Sequence, residues 1–221
     1  MSDQENVLRS LLEAGLAELD IDLNQQQQQQ LLHYRQLLSR WNAVVNLTAV
    51  RNPAEMISRH LLDALSILPV IRTHLLNTDS TPLCILDIGS GAGLPGIPLA
   101  VADSRLDVTM VDSAARKTRF VRQAIAELKL ETASVIHSRV EDMTARVFTC
   151  LVARAFSTPV DIINKSEHLC SPDGCFVLMM AHTGDKLDHL PAGYELQDVI
   201  DLKVPNETAA RTVALCRRCV S

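Results

Sequence analysis

The sequence predicts an α/β protein: a doubly wound, mostly parallel seven-stranded sheet with an N-terminal helical extension. Two observations carry this reading. From Leu83 onward, short apolar runs alternate with helical segments, the pattern of βαβ units, and the first run ends in a glycine-rich turn that opens a helix. Before that point, apolar residues recur at helical spacing instead. The expected boundaries are 1–78 for the extension and 79–221 for the sheet domain, together forming one compact unit. At 221 residues with 47% hydrophobic content, the chain can bury one sizeable core and is too apolar to be disordered.

Within the extension, a first helix is expected in the opening stretch MSDQENVLRSLLEAGLAELD. A second follows Asn24, a good N-cap. Gln25 to Gln30 lead into LLHYRQLLSRW, where Leu31, Tyr34, Leu38 and Trp41 recur at helical spacing. The glutamines therefore read as the solvated start of an amphipathic helix rather than an aggregation-prone tract. A third helix has the clearest start: Asn52 as N-cap, Pro53 at the first helical position and Glu55 at the third, a capping box with the favoured proline. It should run to about Leu68. The polar stretch Asn77 to Pro82 closes the helical part.

Seven strands are expected: LCILDIG, DVTMVDS, ASVIHS, FTCLVAR, GCFVLMM, YELQDVIDL and RTVALCR. In such sheets, ligands lie beyond the carboxyl ends of the strands, where the strand order reverses. The last two have no clear helix between them, so an antiparallel pair at one edge is expected.

Composition excludes several classes. No basic segment followed by a long apolar run opens the chain, and no stretch reaches transmembrane length, so a cytoplasmic, non-exported protein is expected. The six cysteines read as reduced thiols, because disulfide frameworks belong to short secreted chains. Cys216 and Cys219 form a CxxC with Cys170 and Cys175 nearby, but the spacing is weak for zinc and no metal is expected. A net charge of −5 argues against a protein that coats nucleic acid. Acids dominate the start (Asp3, Glu5, Glu13, Glu18, Asp20, Asp22), whereas Arg35, Arg40, Arg51, Arg59, Arg116, Lys117, Arg119, Arg122, Arg139 and Arg154 occupy the middle. A local basic face suits a transient encounter with RNA.

The segment ILDIGSGAGLPGIPLA is the most informative: an apolar strand ending in Asp87, then Gly89, Gly91, Gly93 and Gly96, then a helix start. Glycines let the backbone turn sharply and approach a ligand, and the helix start offers N–H donors. Gly91, Gly93 and Gly96 also match the dinucleotide fingerprint, so periodicity alone leaves NAD open. Asp87 decides. A carboxylate facing the loop would repel a pyrophosphate but suits the ammonium and sulfonium of S-adenosylmethionine.

Asp112 ends the next strand, 19 residues beyond Gly93, close to the spacing of an acid that accepts from ribose hydroxyls. Its plain alternative is a helix-start residue. Glu141, after the third strand, is a candidate for the adenine region and otherwise a surface acid. In SAARKTRFVRQAIAELKL, Phe120, Val121, Ala124, Ile125 and Leu128 form the core stripe. Arg116, Arg119 and Arg122 fall opposite, with Lys117 in the first turn near the mouth of the site.

In this order and spacing, RWNAVVNLTAV, EMISRHLLDAL, LDIGSGAGLPGIPLA, VDSAARKTRFVRQ, HSRVED and ARAFS resemble the bacterial 16S ribosomal RNA guanine-N7 methyltransferase G family, also called glucose-inhibited division protein B. The match is strong over roughly residues 31 to 160 and extends to the C-terminal third only in layout. The resemblance implies a Rossmann-like class I methyltransferase fold, S-adenosylmethionine as cofactor, and 16S ribosomal RNA or the small ribosomal subunit as partner. Methyl would go to N7 of one loop guanine, guanine 527. A monomer is the default.

The resemblance also implies residue roles. Gly89 and Leu94 line the methionine-bearing end, Val140 and Glu141 meet the adenine end, and Arg154 lies beside the cofactor pocket. With Asp87, Gly91, Gly93 and Asp112 from the residues themselves, these form the expected cofactor set. Asn46, His60 and Asp63 fall in shared motifs. Asn46, His60, Arg116, Lys117, Arg119 and Arg154 are the candidate RNA contacts. His60 and Asp63, one turn apart, read plainly as a local hydrogen-bond pair.

Two positions depart from the family pattern. Met179, Met180, Ala181 and His182 stand where a lysine and glycine are common, and Thr212 follows Arg211 where a histidine is common. No general base is expected, because guanine N7 carries an in-plane lone pair. Its major-groove edge is inaccessible in regular A-form RNA, so the target should lie in a loop or be extruded. Phe156, Trp41 and the arginine face are equivalent stacking candidates. The alternatives are an NAD-binding oxidoreductase and a non-catalytic assembly factor on the same fold.

Overall fold

A computed structural model describes residues 3–76, 82–144, 146–154, 157–181, 187 and 189–219. Phe156, His182 and most of the expected 77–82 linker lie outside the described residues. Helices α1 (Asp3–Glu18) and α2 (Gln25–Val45) come first, followed by α3 (Pro53–Met56), a π-helical segment Ile57–Leu62, α4 (Asp63–Leu65) and α5 (Leu68–His74). The alternating part then runs β1 (Leu83–Ile88), α6 (Gly96–Ala102), β2 (Leu106–Asp112), α7 (Ala115–Leu128), β3 (Ala133–His137), β4 (Phe148–Arg154), α8 (Pro159–Ser166), β5 (Cys170–Met180), β6 (Tyr194–Leu202) and β7 (Arg211–Arg218).

All seven strands join one sheet in the order β3-β2-β1-β4-β5-β7-β6. The first five are parallel; β7 pairs antiparallel with both β5 and β6. The reason is in the patterns: the continuous apolar run of β7 suits burial between two neighbours, whereas β6 is mostly exposed and takes the edge. β5 starts four residues earlier than its apolar run. Pro172 and Asp173 extend it where β7 has not yet joined, so the missing proline N–H breaks no ladder.

Order reverses between β1 and β4, and the glycine-rich turn after β1 therefore sits at the switch point. The helices of residues 3–76 share the larger core cluster with the sheet, from Leu8 and Leu12 through Ile85 and Val108 to Leu215. Tyr34 of α2 is fully buried and donates its hydroxyl to the carbonyl of Ala92 in the glycine turn at 2.7 Å. Its ring and that of Trp41 lie against Phe120 of α7, with centroids 6.2 and 5.6 Å away.

Three local expectations need correction. The glutamine run is more than a solvated start. Gln27 donates to the carbonyls of Val101 and Ala102 at the end of α6, and Gln30 to that of Leu128 at the end of α7, satisfying orphan helix-end acceptors. The capping box forms here, between Asn24 and Gln27. At Asn52 it does not: the side chain accepts from Ala54 N, and Glu55 turns instead to Arg59. Nor does that third helix run unbroken to Leu68. It passes through the π-helical segment, stops at Ser66 and restarts at Leu68 with Pro69 in its first turn.

Tyr34→Phe removes one buried hydroxyl and strands the Ala92 carbonyl. Urea unfolding should show a loss of about 1–2 kcal/mol; an unchanged midpoint would mean that the contact stabilises nothing.

Candidate functional site

The glycine turn is held from below. Gly89, Gly91 and Gly93 all have left-handed φ (65°, 59° and 86°), which side-chain-bearing residues rarely adopt. Three contacts fix it. Asp87 Oδ2 accepts from Gly96 N at 2.8 Å, Asp112 Oδ2 accepts from Gly91 N at 2.9 Å, and Tyr34 meets Ala92. Gly96 is glycine for packing: a Cβ there would lie 2.6 Å from Met110 Cγ and 2.8 Å from Asp87 Oδ2.

The expected free donors at the start of α6 are absent. Gly96 N is taken by Asp87, Ile97 N by the Gly93 carbonyl, and Pro95 and Pro98 have no N–H. A pyrophosphate would meet no donors there. Asp87 faces the loop as expected. It is 0% exposed beneath the loop, with Oδ1 unpartnered. Burial raises its pKa to about 7, against the opposing effects of the Gly96 N–H and the Arg154 charge.

A groove of about 310 Å³ opens beyond the ends of β1, β2 and β3, lined by Gly89, Asp112, Ser113, Lys117, Arg139, Val140, Glu141 and Lys165 among others. Asp112 takes the helix-start role and also lines the groove. It caps the entry to α7 through Ala114 N at 2.8 Å, steadies Gly91 and has Lys117 Nζ 3.6 Å away, while still facing the groove. Each carboxylate oxygen has two acceptor positions, so capacity for a ribose remains. Val140 is buried on the wall, and Glu141 is exposed with Lys165 4.0 Å away. The side chain of Leu94 packs in the main core at 5% exposure, which leaves its backbone to meet a ligand.

Across the turn, a second cavity of about 280 Å³ is lined by Val50, Arg59, His60, Asp63, Arg154, Met179, Met180, Ala181 and Arg211. Here the separated motifs converge. Asn42 accepts from Thr48 N and shapes the loop after α2; Thr48 Oγ1 then lies 2.8 Å from His60 Nε2. His60 Nδ1 is 2.9 Å from the Arg59 carbonyl, which also accepts from Arg154 Nη1 at 3.3 Å. Burial lowers the His60 pKa to about 4, so the ring is neutral at pH 7, donating through Nδ1 and accepting from Thr48. Asp63 does not pair with His60. It binds Arg154 Nη1 through Oδ2 at 2.8 Å and Arg211 Nε through Oδ1 at 3.1 Å.

The remaining candidates lie on the surface. Arg116, Arg119 and Arg122 are exposed along α7, and Asn46 is exposed as the left-handed C-cap of α2, 3.5 Å from Arg51. Trp41 is partly buried, with its ring tilted against Phe120. Sequence reasoning missed Tyr34, Asn42, Thr48 and the pairing of Arg211. Among the described residues, no three His, Cys, Asp or Glu side chains group to hold a metal.

The family model for rRNA small subunit methyltransferase G matches residues 27–214. The ribosomal RNA small subunit methyltransferase G of Nitrosococcus oceani is 42% identical over 215 residues, covering 96% of each chain. That of Ectopseudomonas mendocina is 43% identical over 208 residues, covering 93% of this chain and 94% of its own. The chain belongs to the rRNA small subunit methyltransferase G family. Solved structures agree on the fold, and on the fold alone. TrmN of Thermus thermophilus has a TM-score of 0.57 at 15% identity, over 74% of this chain and 53% of its own. A variant of MtNAS, solved in complex with S-adenosylmethionine, has 0.59 at 15% identity, over 86% and 73%. The sheet order and N-terminal helices are those of a class I methyltransferase. As a member of the methyltransferase G family, the chain is an S-adenosylmethionine-dependent methyltransferase acting on 16S ribosomal RNA. The oxidoreductase and assembly-factor readings fall away.

Asp87 makes stability depend on pH. Between about pH 4 and 7 the unfolded carboxyl is ionised while the folded one keeps its proton, so this group's contribution falls as pH rises and is constant above about 7. Asp87→Asn can still accept from Gly96 N. Measured against wild type, its relative stability should rise between pH 4 and 7 by roughly 2–4 kcal/mol. A pH-independent difference would show that Asp87 is ionised throughout.

Proposed function

We propose that this enzyme methylates N7 of a single loop guanine of 16S ribosomal RNA, guanine 527, acting in the cytoplasm as a monomer whose site is assembled within one chain. The observation that carries the N7 assignment is that the described residues of the second cavity offer no free base. His60 uses both ring nitrogens and is hard to protonate, and Asp63 is gripped by two arginines. An acceptor requiring deprotonation would find no base among the described residues of this wall, whereas N7 needs none.

The residues fit the cofactor. In this reading the groove takes the nucleoside, with Asp112 accepting from ribose hydroxyls and Val140 and Glu141 beside the base. Gly89, Gly91 and Gly93 let the backbone pass close to the ligand, and Asp87 lies buried beneath the turn, holding Gly96 N with one oxygen and keeping the other unpartnered. When bound, S-adenosylmethionine supplies an electrophilic methyl group for in-line displacement. The chain's part is to hold the acceptor in attack geometry, which can account for a large share of the rate.

The second cavity is the acceptor side. Arg154 lines this cavity, and its charge is felt by Asp87 beneath the turn. The surface candidates Asn46, Arg116 and Arg119, with Lys117 at the groove and His60 within the cavity, contribute to the RNA side. Exposed arginines there give the local attraction for phosphate that the net charge of −5 does not.

The test is transfer of tritiated methyl from S-adenosylmethionine to small-subunit particles from cells lacking this gene, with mass mapping of the product. Label on N7 of one loop guanine is expected. Label on another atom or on several guanines contradicts the assignment.

A further inference from the structure

We infer that Asp63 is a positioning residue for methyl transfer: one carboxylate oxygen grips Arg154 and the other Arg211, fixing two guanidinium groups on the wall of the acceptor cavity. This rests on the functional reading above, which makes that cavity the acceptor side.

Asp63 is the odd member of its surroundings. The other lining groups are cationic, neutral polar or apolar: Arg59, Arg154, Arg211, His60, Met179 and Met180. At 4% exposure Asp63 is recessed from the RNA it would repel, and it acts through the arginines. These come from strands that are not neighbours, because β5 lies between β4 and β7. The carboxylate therefore spans the end of β5, drawing together two like charges that would otherwise separate. Each guanidinium has a second anchor: Arg154 Nη1 to the Arg59 carbonyl at 3.3 Å, and Arg211 Nη1 to the Ala210 carbonyl at 3.1 Å.

Two cations on one acid leave one positive charge, the complement of a single phosphodiester. Among the described residues, Nη2 of neither arginine has a partner. The planar fork of arginine presents such a donor in a fixed direction once its other nitrogens are tied. Asp63 reaches this place because it directly follows the π-helical segment Ile57–Leu62. Such segments recur at functional sites. A buried ion pair is a weak source of stability, which makes geometry the more economical account of this one.

The test compares wild type, Asp63→Asn and Asp63→Glu in steady-state methyl transfer to unmethylated small-subunit particles. RNA affinity, cofactor affinity and melting temperature are measured on the same preparations. Asp63→Asn should lower kcat about 10- to 100-fold, with RNA Kd within about threefold of wild type or tighter, since a negative charge is lost. Cofactor affinity should not change, and Asp63→Glu should recover part of the rate. A kcat close to wild type, or a fall matched by lost RNA or cofactor binding, overturns the inference. If Asp63→Asn does not fold, Arg211→Lys keeps the charge but loses the fork and should show the same split; wild-type kcat there overturns it too. NMR of the Arg211 side-chain Hε reads the grip without turnover: slow exchange is expected in wild type, and fast exchange overturns the inference. Wild-type enzyme that methylates no 16S substrate despite a protected Hε would instead overturn the functional reading.

Discussion

Everything in this structure depends on a five-residue turn with three left-handed glycines, Gly89, Gly91 and Gly93, held at the point where the strand order reverses. Left to itself such a segment is floppy, because glycine loses more conformational freedom on folding than any other residue. Three contacts from different parts of the chain remove that freedom: a carboxylate from β1, a carboxylate from β2 and a tyrosine hydroxyl from α2. The first is expensive. Asp87 is wholly buried with one oxygen unpartnered, and the cost appears as a pKa raised to about 7. A site that must orient a reacting group benefits from a frame settled before the ligand arrives.

The turn also divides the site. On one side, β2 and β3 end at the groove of Asp112, Val140 and Glu141; on the other, β4, β5 and β7 meet at the cavity of His60, Asp63, Arg154 and Arg211. The helical extension belongs to both. Tyr34 supports the turn, and the loop after α2 brings Thr48 to His60. Three motifs far apart in sequence become one hydrogen-bonded chain from Asn42 through Thr48, His60, the Arg59 carbonyl and Arg154 to Asp63 and Arg211. That convergence gives family membership a physical content.

Much of this was legible in the sequence because its cause is local. Alternation and apolar runs located all seven strands, and the glycine spacing located the turn. The surface stripe of Arg116, Arg119 and Arg122 followed from the core stripe of Phe120, Val121 and Ala124. What escaped was long-range. Nothing near Gln27 and Gln30 announces that they close the ends of α6 and α7, and nothing near Arg211 points to Asp63, 148 residues away. Leu94 came to the ligand set through the resemblance alone, and its side chain packs in the core. The third glycine of the dinucleotide-like pattern, Gly96, was ambiguous because packing against Met110 and Asp87 demands glycine whatever the ligand.

Hydrogen–deuterium exchange at the turn is the most direct test of a preformed frame. The Gly91 and Gly96 amides, bonded to Asp112 and Asp87, should already exchange slowly in the free enzyme and change little when S-adenosylmethionine is added. Fast exchange in the free enzyme that becomes slow only with cofactor would contradict the account, because the ligand and not the protein would then be building the turn.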